Sequence, residues 1–205
     1  MSRIEQWSFG IILGAVLPIT GLLAGWWGSY SYLSITWVIV FAAAGMAAGL
    51  VVDGFYLKKW IAKAYDIDLR VWAAIYLFYS VCLFGFFMGV PVFNLALAVP
   101  SGLFIGRKAA VKHMDAASGQ RLISSTRWFT TGVLVLICAA SAWFALRSPS
   151  TPADLEGMLR LPFEVTLPMI WGLIALGGAL LLAVHWLLFT KCARFTRGWE
   201  GGKKF

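Results

Sequence analysis

The sequence predicts an all-α integral membrane protein of about six transmembrane helices with both termini on the cytoplasmic side. Three observations lead there. Val71 to Gly106 runs without a single Asp, Glu, Lys, Arg or His, nearly twice the roughly 20 helical residues that cross a bilayer core. The chain of 205 residues is 60% hydrophobic and 13% charged, whereas soluble domains sit near 45–50% and 25%. The basic residues gather between alternate apolar runs, which is the positive-inside pattern. One transmembrane domain over residues 1–205 accounts for the length.

The uncharged stretch is too long for one crossing and must fold back. Gly89-Val90-Pro91 is the turn. Spans 3 and 4, residues 71–88 and 91–106, then form a tight helical hairpin. Pro91 suits a first helical position, and Val90 before it is biased away from helical angles. Span 4 is short and carries a second proline, Pro100.

In chain order, span 1 covers about 7–27. It is longer than a signal-peptide core and lacks a small-x-small cleavage site, so it reads as a retained span. Pro18 removes a backbone hydrogen bond and favours a kink, and Thr20 is placed to return a hydroxyl to the freed carbonyl. Gly10, Gly14, Gly21 and Gly25 have the spacing that lets another helix approach closely. Span 2 covers about 32–52, and its middle, Ala42 to Gly49, is a run of small residues. Residues 56–65 read as an amphipathic helix in the headgroup region, with Lys58, Lys59 and Lys63 toward anionic lipid. Asp68 is placed to cap span 3.

Arg107 to Arg127 reads as a basic loop, with Ser124, Ser125 and Thr126 offering caps for span 5 at about 128–146. Residues 152–160 form a second interfacial helix, started by Thr151, Pro152 and Asp154, with Leu155, Met158 and Leu159 on one face. Span 6 covers about 166–189. The basic tail, Thr190 to Phe205, holds Lys191, Arg194, Arg197, Lys203 and Lys204 against Glu200. Loops after spans 2 and 4 and the tail are rich in Lys and Arg, while the turns after spans 1 and 3 have none. That asymmetry sets both termini inside. Trp26, Trp27, Trp143 and Trp171 then fall near one interface, and Trp7, Trp60, Trp72, Trp128 and Trp186 near the other, as an aromatic belt. The expected location is the cytoplasmic membrane of a bacterium or archaeon.

The formal charge of +8 is absorbed by this topology, so no nucleic-acid partner is expected. Cys82, Cys138 and Cys192 show no metal-ligand or disulfide spacing, and no metal or other cofactor is expected. No intramembrane serine-protease pattern and no paired DxxxD magnesium motif is present. Asp53-Gly54 begins like a phosphatidyltransferase signature, but the downstream aspartates are missing. His113 and His185 are too few and too far apart in depth to ligate haem.

Polar groups inside spans mark where function would lie. Asn94 is about one turn into span 4 from the outer face. Its amide either bonds across the hairpin or to a neighbouring helix, or contacts a solute. Leu17-Pro18-Ile19-Thr20-Gly21-Leu22 and Val99-Pro100-Ser101-Gly102-Leu103 resemble one another, so spans 1–3 and 4–6 are candidates for an inverted repeat with proline-broken helices at matching positions. Asn94, Pro100, Ser101, Pro18 and Thr20 are the candidate binding residues. Tyr79 and Ser80 lie mid-span, with local backbone bonding as their default. Asp53 and His185, at the same leaflet, are the one acid–base pair the depths permit.

Transport or permeation of a small solute is the first functional expectation. A non-catalytic subunit, assembling with itself or with partners through its glycine faces and amphipathic segment, is the second. An enzyme using Asp53 and His185 is the weakest.

Overall fold

The computed structural model describes residues 3–160 and 162–198. They are helical throughout, with no strand among the described residues. Five helices are long and apolar enough to cross a membrane: Glu5–Tyr30, Ile35–Ala62, Leu69–Phe86, Ala116–Arg147 and Leu167–Gly198. Only 11% to 22% of each apolar window is buried inside the chain. Most apolar side chains therefore face outward, which is what a lipid solvent demands and water penalises.

Contacts gather into two compact units, Met1–Ile75 and Tyr76–Phe205. The first unit is built on α1 (Arg3–Gly14), α2 (Val16–Tyr30) and α3 (Ile35–Ala62). The expected kink in span 1 corresponds to a one-residue interruption at Ala15, between α1 and α2, where the amide still bonds the Ile11 carbonyl and the carbonyl accepts from the Ile19 amide, both at 3.1 Å. Pro18 explains its place. A proline ring clashes with the carbonyl four residues earlier, and that residue is Gly14. The Thr20 hydroxyl bonds the Val16 carbonyl at 2.7 Å, so it follows the ordinary one-turn pattern and does not serve the carbonyl that Pro18 frees.

α2 and α3 run antiparallel and meet backbone to backbone. A side-chain carbon at Gly21 would overlap the Gly45 carbonyl, and the reverse holds for Gly45. Gly25 abuts the backbone of Phe41 and Ala42, and Gly49 that of Leu17 and Pro18. The glycine spacing of span 1 thus finds its partner in the small-residue run of span 2.

The separate interfacial helix expected at 56–65 is not formed. α3 continues unbroken to Ala62, followed by a 3-10 turn over Ala64–Asp66. Nothing between Val52 and Leu57 breaks a helix; an interior glycine such as Gly54 costs only about 1 kcal/mol. The apolar residues of this segment pack on α1: Ile61 lies beside Gly10 and Leu57 beside Gly14. Lys58, Lys59 and Lys63 are exposed.

The second unit takes in most of α4 (Leu69–Phe86), a 3-10 segment at Pro91–Leu97, α5 (Ala98–Val111), α6 (Ala116–Arg147), α7 (Thr151–Leu159), α8 (Leu167–Gly172), and α9 (Gly178–Gly198). Asp68 meets its expected role at the start of α4, accepting from the Arg70 amide at 2.7 Å. The turn after α4 places Met88 at φ 53° and Gly89 at φ 81°. The Gly89 amide bonds the Phe84 carbonyl at 2.8 Å and the Met88 amide the Gly85 carbonyl at 3.3 Å. That is a Schellman ending. Phe87 and Phe93 stack across it at 3.6 Å.

The expected fourth span is not one α-helix. Its first part is 3-10 and its second part is a 14-residue α-helix. Pro100 is the third residue of α5 and lacks the N–H that an α-helix beginning farther back would use there. The expected loop from Arg107 to Arg127 shrinks to 112–115. The Asp115 carboxylate accepts from the amides of Ala117 and Ser118 at 3.2 and 3.1 Å and starts α6 there. These bonds, chiefly those to Ser118, hold its carboxyl below the usual range. Ser124, Ser125 and Thr126 are therefore helix interior, not caps.

α7 fits the expected helix at 152–160, with Pro152 in its first turn; the side chains of Met158 and Leu159 lie outside the described set. The sixth span contains a π-helical turn, Leu173–Gly177, between α8 and α9. The polar tail residues Glu200, Lys203 and Lys204 lie outside the described residues.

Candidate functional site

The polar interior of the second unit is assembled from α4, the 3-10 segment, α5, α6 and α9. α5 and α9 run parallel, because Gly102 faces Phe189 and Cys192 while Gly106 faces Ala193 and Thr196. Both glycines let the α9 backbone approach closely. The Thr196 hydroxyl adds a bond to the Leu103 carbonyl at 3.1 Å. α6 runs antiparallel to α9: Thr131 meets His185, and Arg127 meets Thr190.

Asn94 projects from the 3-10 segment and is 2% exposed. Its Nδ2 donates to the Ser80 carbonyl on α4 at 2.9 Å. This is the cross-hairpin bond that the sequence placed among its readings. The other end of the amide, Oδ1, is buried and has no partner among the described residues. Ser101 is buried on α5, in line with Ala98 and Ile105, and Pro100 beside it is half-buried.

His185 is fully buried on α9. Its Nδ1 lies 3.4 Å from the Thr131 hydroxyl of α6, and its Nε2 is buried without a partner. Thr130, next to Thr131, is also fully buried and donates its hydroxyl to the Arg127 carbonyl at 3.1 Å. All of these groups apart from His185 carry no titratable charge. They offer donors and acceptors in mostly apolar surroundings, with Tyr76 of α4 and Lys108 of α5 also buried in this unit.

The remaining candidates belong to the first unit. Pro18 is buried at the α2–α3 contact, while Thr20 is exposed. Asp53 is 6% exposed on α3, and neither carboxylate oxygen has a hydrogen-bond partner among the described residues. It faces the break between α1 and α2, close to Gly14 and one turn before Leu57. Pro18 and Thr20 thus sit in one unit and Asn94, Pro100 and Ser101 in the other; Asp53 and His185 divide in the same way.

Two features escaped the sequence. The first is the seam of Arg127, Trp186 and Thr190, described below. The second is the Thr196–Leu103 bond. The signal for the seam was present: an arginine and a threonine each stand at the apolar boundary of a span, beside Trp128 and Trp186. The sequence does not say that the two boundaries meet. Among the described residues no group of three or more His, Cys, Asp or Glu is placed to hold a metal ion. No protein-family model, curated protein or solved structure matches the chain.

Proposed function

We propose that the protein passes a small polar solute across the cytoplasmic membrane of a bacterial or archaeal cell, along the broken fourth span. Asn94 carries the reading. A buried acceptor with no donor costs about 1–3 kcal/mol, and an apolar residue of similar size would fill the position without that cost. The 3-10 backbone around it supports the same view, since non-α backbone at membrane depth is tolerated where it is buried in protein or lines an aqueous cavity. His185, with its own unpartnered nitrogen, is the second group along the path.

In this reading the fourth span is a true crossing, and the chain has six. Pro91 to Gly106 reaches about 27 Å at the rises of 3-10 and α-helix, close to the roughly 30 Å hydrocarbon thickness. Both termini then face the cytoplasm. The glycines of α2, α3 and α5 that would recommend a scaffold are occupied within the chain, at the α2–α3 and α5–α9 contacts, while Gly132, Gly172 and Gly178 meet open space.

The test is solute flux into liposomes holding the purified full chain, over a panel of small neutral and charged solutes. The wild type is expected to raise the flux of at least one solute above empty liposomes. Asn94→Leu is expected to lower that flux about tenfold while keeping its helical content. No flux from the wild type, or equal flux from the variant, would overturn the reading.

A further inference from the structure

We infer that the seam between α6 and α9 holds the phosphate of an anionic phospholipid, gripped by Arg127 and Arg194. The site does not depend on the transport reading. Its level follows from chain length. The apolar stretch Trp128–Leu146 is about 28 Å long at an α-helical rise, a match to the hydrocarbon core. Arg127 is the next residue, so it stands where lipid phosphates begin. Thr190 marks the same boundary on α9, just after the apolar run ends at Phe189. The structure joins the two boundary residues: Arg127 Nη1 donates to Thr190 Oγ1 at 3.1 Å.

The guanidinium is held in place on several sides. Its Cζ lies 3.8 Å from the centre of the Trp186 ring. Trp128 packs edge-on against that ring, with centroids 4.8 Å apart and planes at 76°. Thr190 is fixed in turn by donating to the Trp186 carbonyl at 2.7 Å. Arg127 Nε is buried and has no partner among the described residues. Arg194 lies one turn beyond Thr190 on α9 and is exposed, so it follows the residue that Arg127 bonds. Among the described residues no carboxylate pairs with either arginine.

Two guanidinium groups repelling each other at the edge of a low-dielectric slab are unfavourable unless an anion lies between them. A phosphate diester suits the place: its oxygens accept from planar N–H forks, and the lipid's acyl chains continue along the exposed Trp128 and Leu187. Basic pockets between membrane helices recognise anionic headgroups by this chemistry.

The full chain in neutral detergent would be titrated with phosphatidylglycerol, phosphatidylcholine or inorganic phosphate, with thermal unfolding and native mass spectrometry as readouts. Phosphatidylglycerol is expected to bind and raise Tm, and the other two to do neither. Arg127→Gln and Arg194→Gln should each weaken phosphatidylglycerol binding about tenfold, with Arg127→Lys in between. Lys191→Gln, an equal charge change one residue from Thr190, should leave it unchanged. Arg194 is exposed, so its variant carries the test if Arg127→Gln fails to fold. Unaltered binding by Arg194→Gln, or equal loss in Lys191→Gln, would overturn the site. An equal response to inorganic phosphate would overturn the lipid as its source.

Discussion

Met88 takes a backbone conformation that its side chain disfavours, at φ 53° in the turn that closes α4. The left-handed region costs an L-residue about 1–2 kcal/mol, and glycine is the usual occupant of this position in a Schellman ending. The side chain is 94% exposed, so little packing offsets the strain. Met88→Gly is expected to raise stability by about 0.5–1 kcal/mol, after glycine's larger loss of chain entropy. Chemical unfolding in mixed micelles measures this; a fall in stability would mean that the methionine contributes packing. At the same scale, Asn94 was legible as an unusual residue, and its bond to Ser80 was one of the two readings its depth allowed. The orphaned Oδ1 was not legible, because a donor's absence is a property of the neighbours.

At the scale of elements, prolines and glycines act as the sequence says, though the geometry differs in detail. Pro18 perturbs its helix one turn upstream, at Ala15, where the backbone keeps helical angles and its one-turn bonds, and Pro100 helps to limit α5 at its start. The glycine faces of α2 and α3 lock together at backbone distance. Gly45→Val is therefore expected to destabilise the first unit by about 3 kcal/mol, because the added carbons meet the Gly21 backbone and no side chain can yield. Gly54→Ala on the same helix meets open space and should be neutral or stabilising by up to about 1 kcal/mol. Similar effects from both would mean that the close approach is not what holds the pair. Two elements were misread because charge was taken as a helix boundary. Lys58 and Lys59 ride on the end of α3, and Arg121 and Arg127 lie within α6. Hydropathy marks where a helix leaves lipid, whereas capping and breakers decide where it ends.

For the whole molecule, the distribution of Lys and Arg remains the argument for orientation. A phosphatase reporter active only outside the cytoplasm, fused after Arg197, should be inactive, and fused in the 148–150 turn it should be active. Activity at the first position would reverse the topology.

The sequence by itself determined that the protein is helical and lives in lipid. It also marked Asn94, Asp53 and His185 as polar residues at membrane depth. Those are local properties, set by hydropathy and by each residue's place along its run. Only the tertiary structure decided which polar atoms find partners, that the glycine faces of α2, α3 and α5 are closed within the chain, and that Arg127 and Thr190 meet on one seam. Each of these depends on helix register and direction across residues far apart in the chain. Composition and periodicity constrain a helix's faces but not the neighbour each face selects.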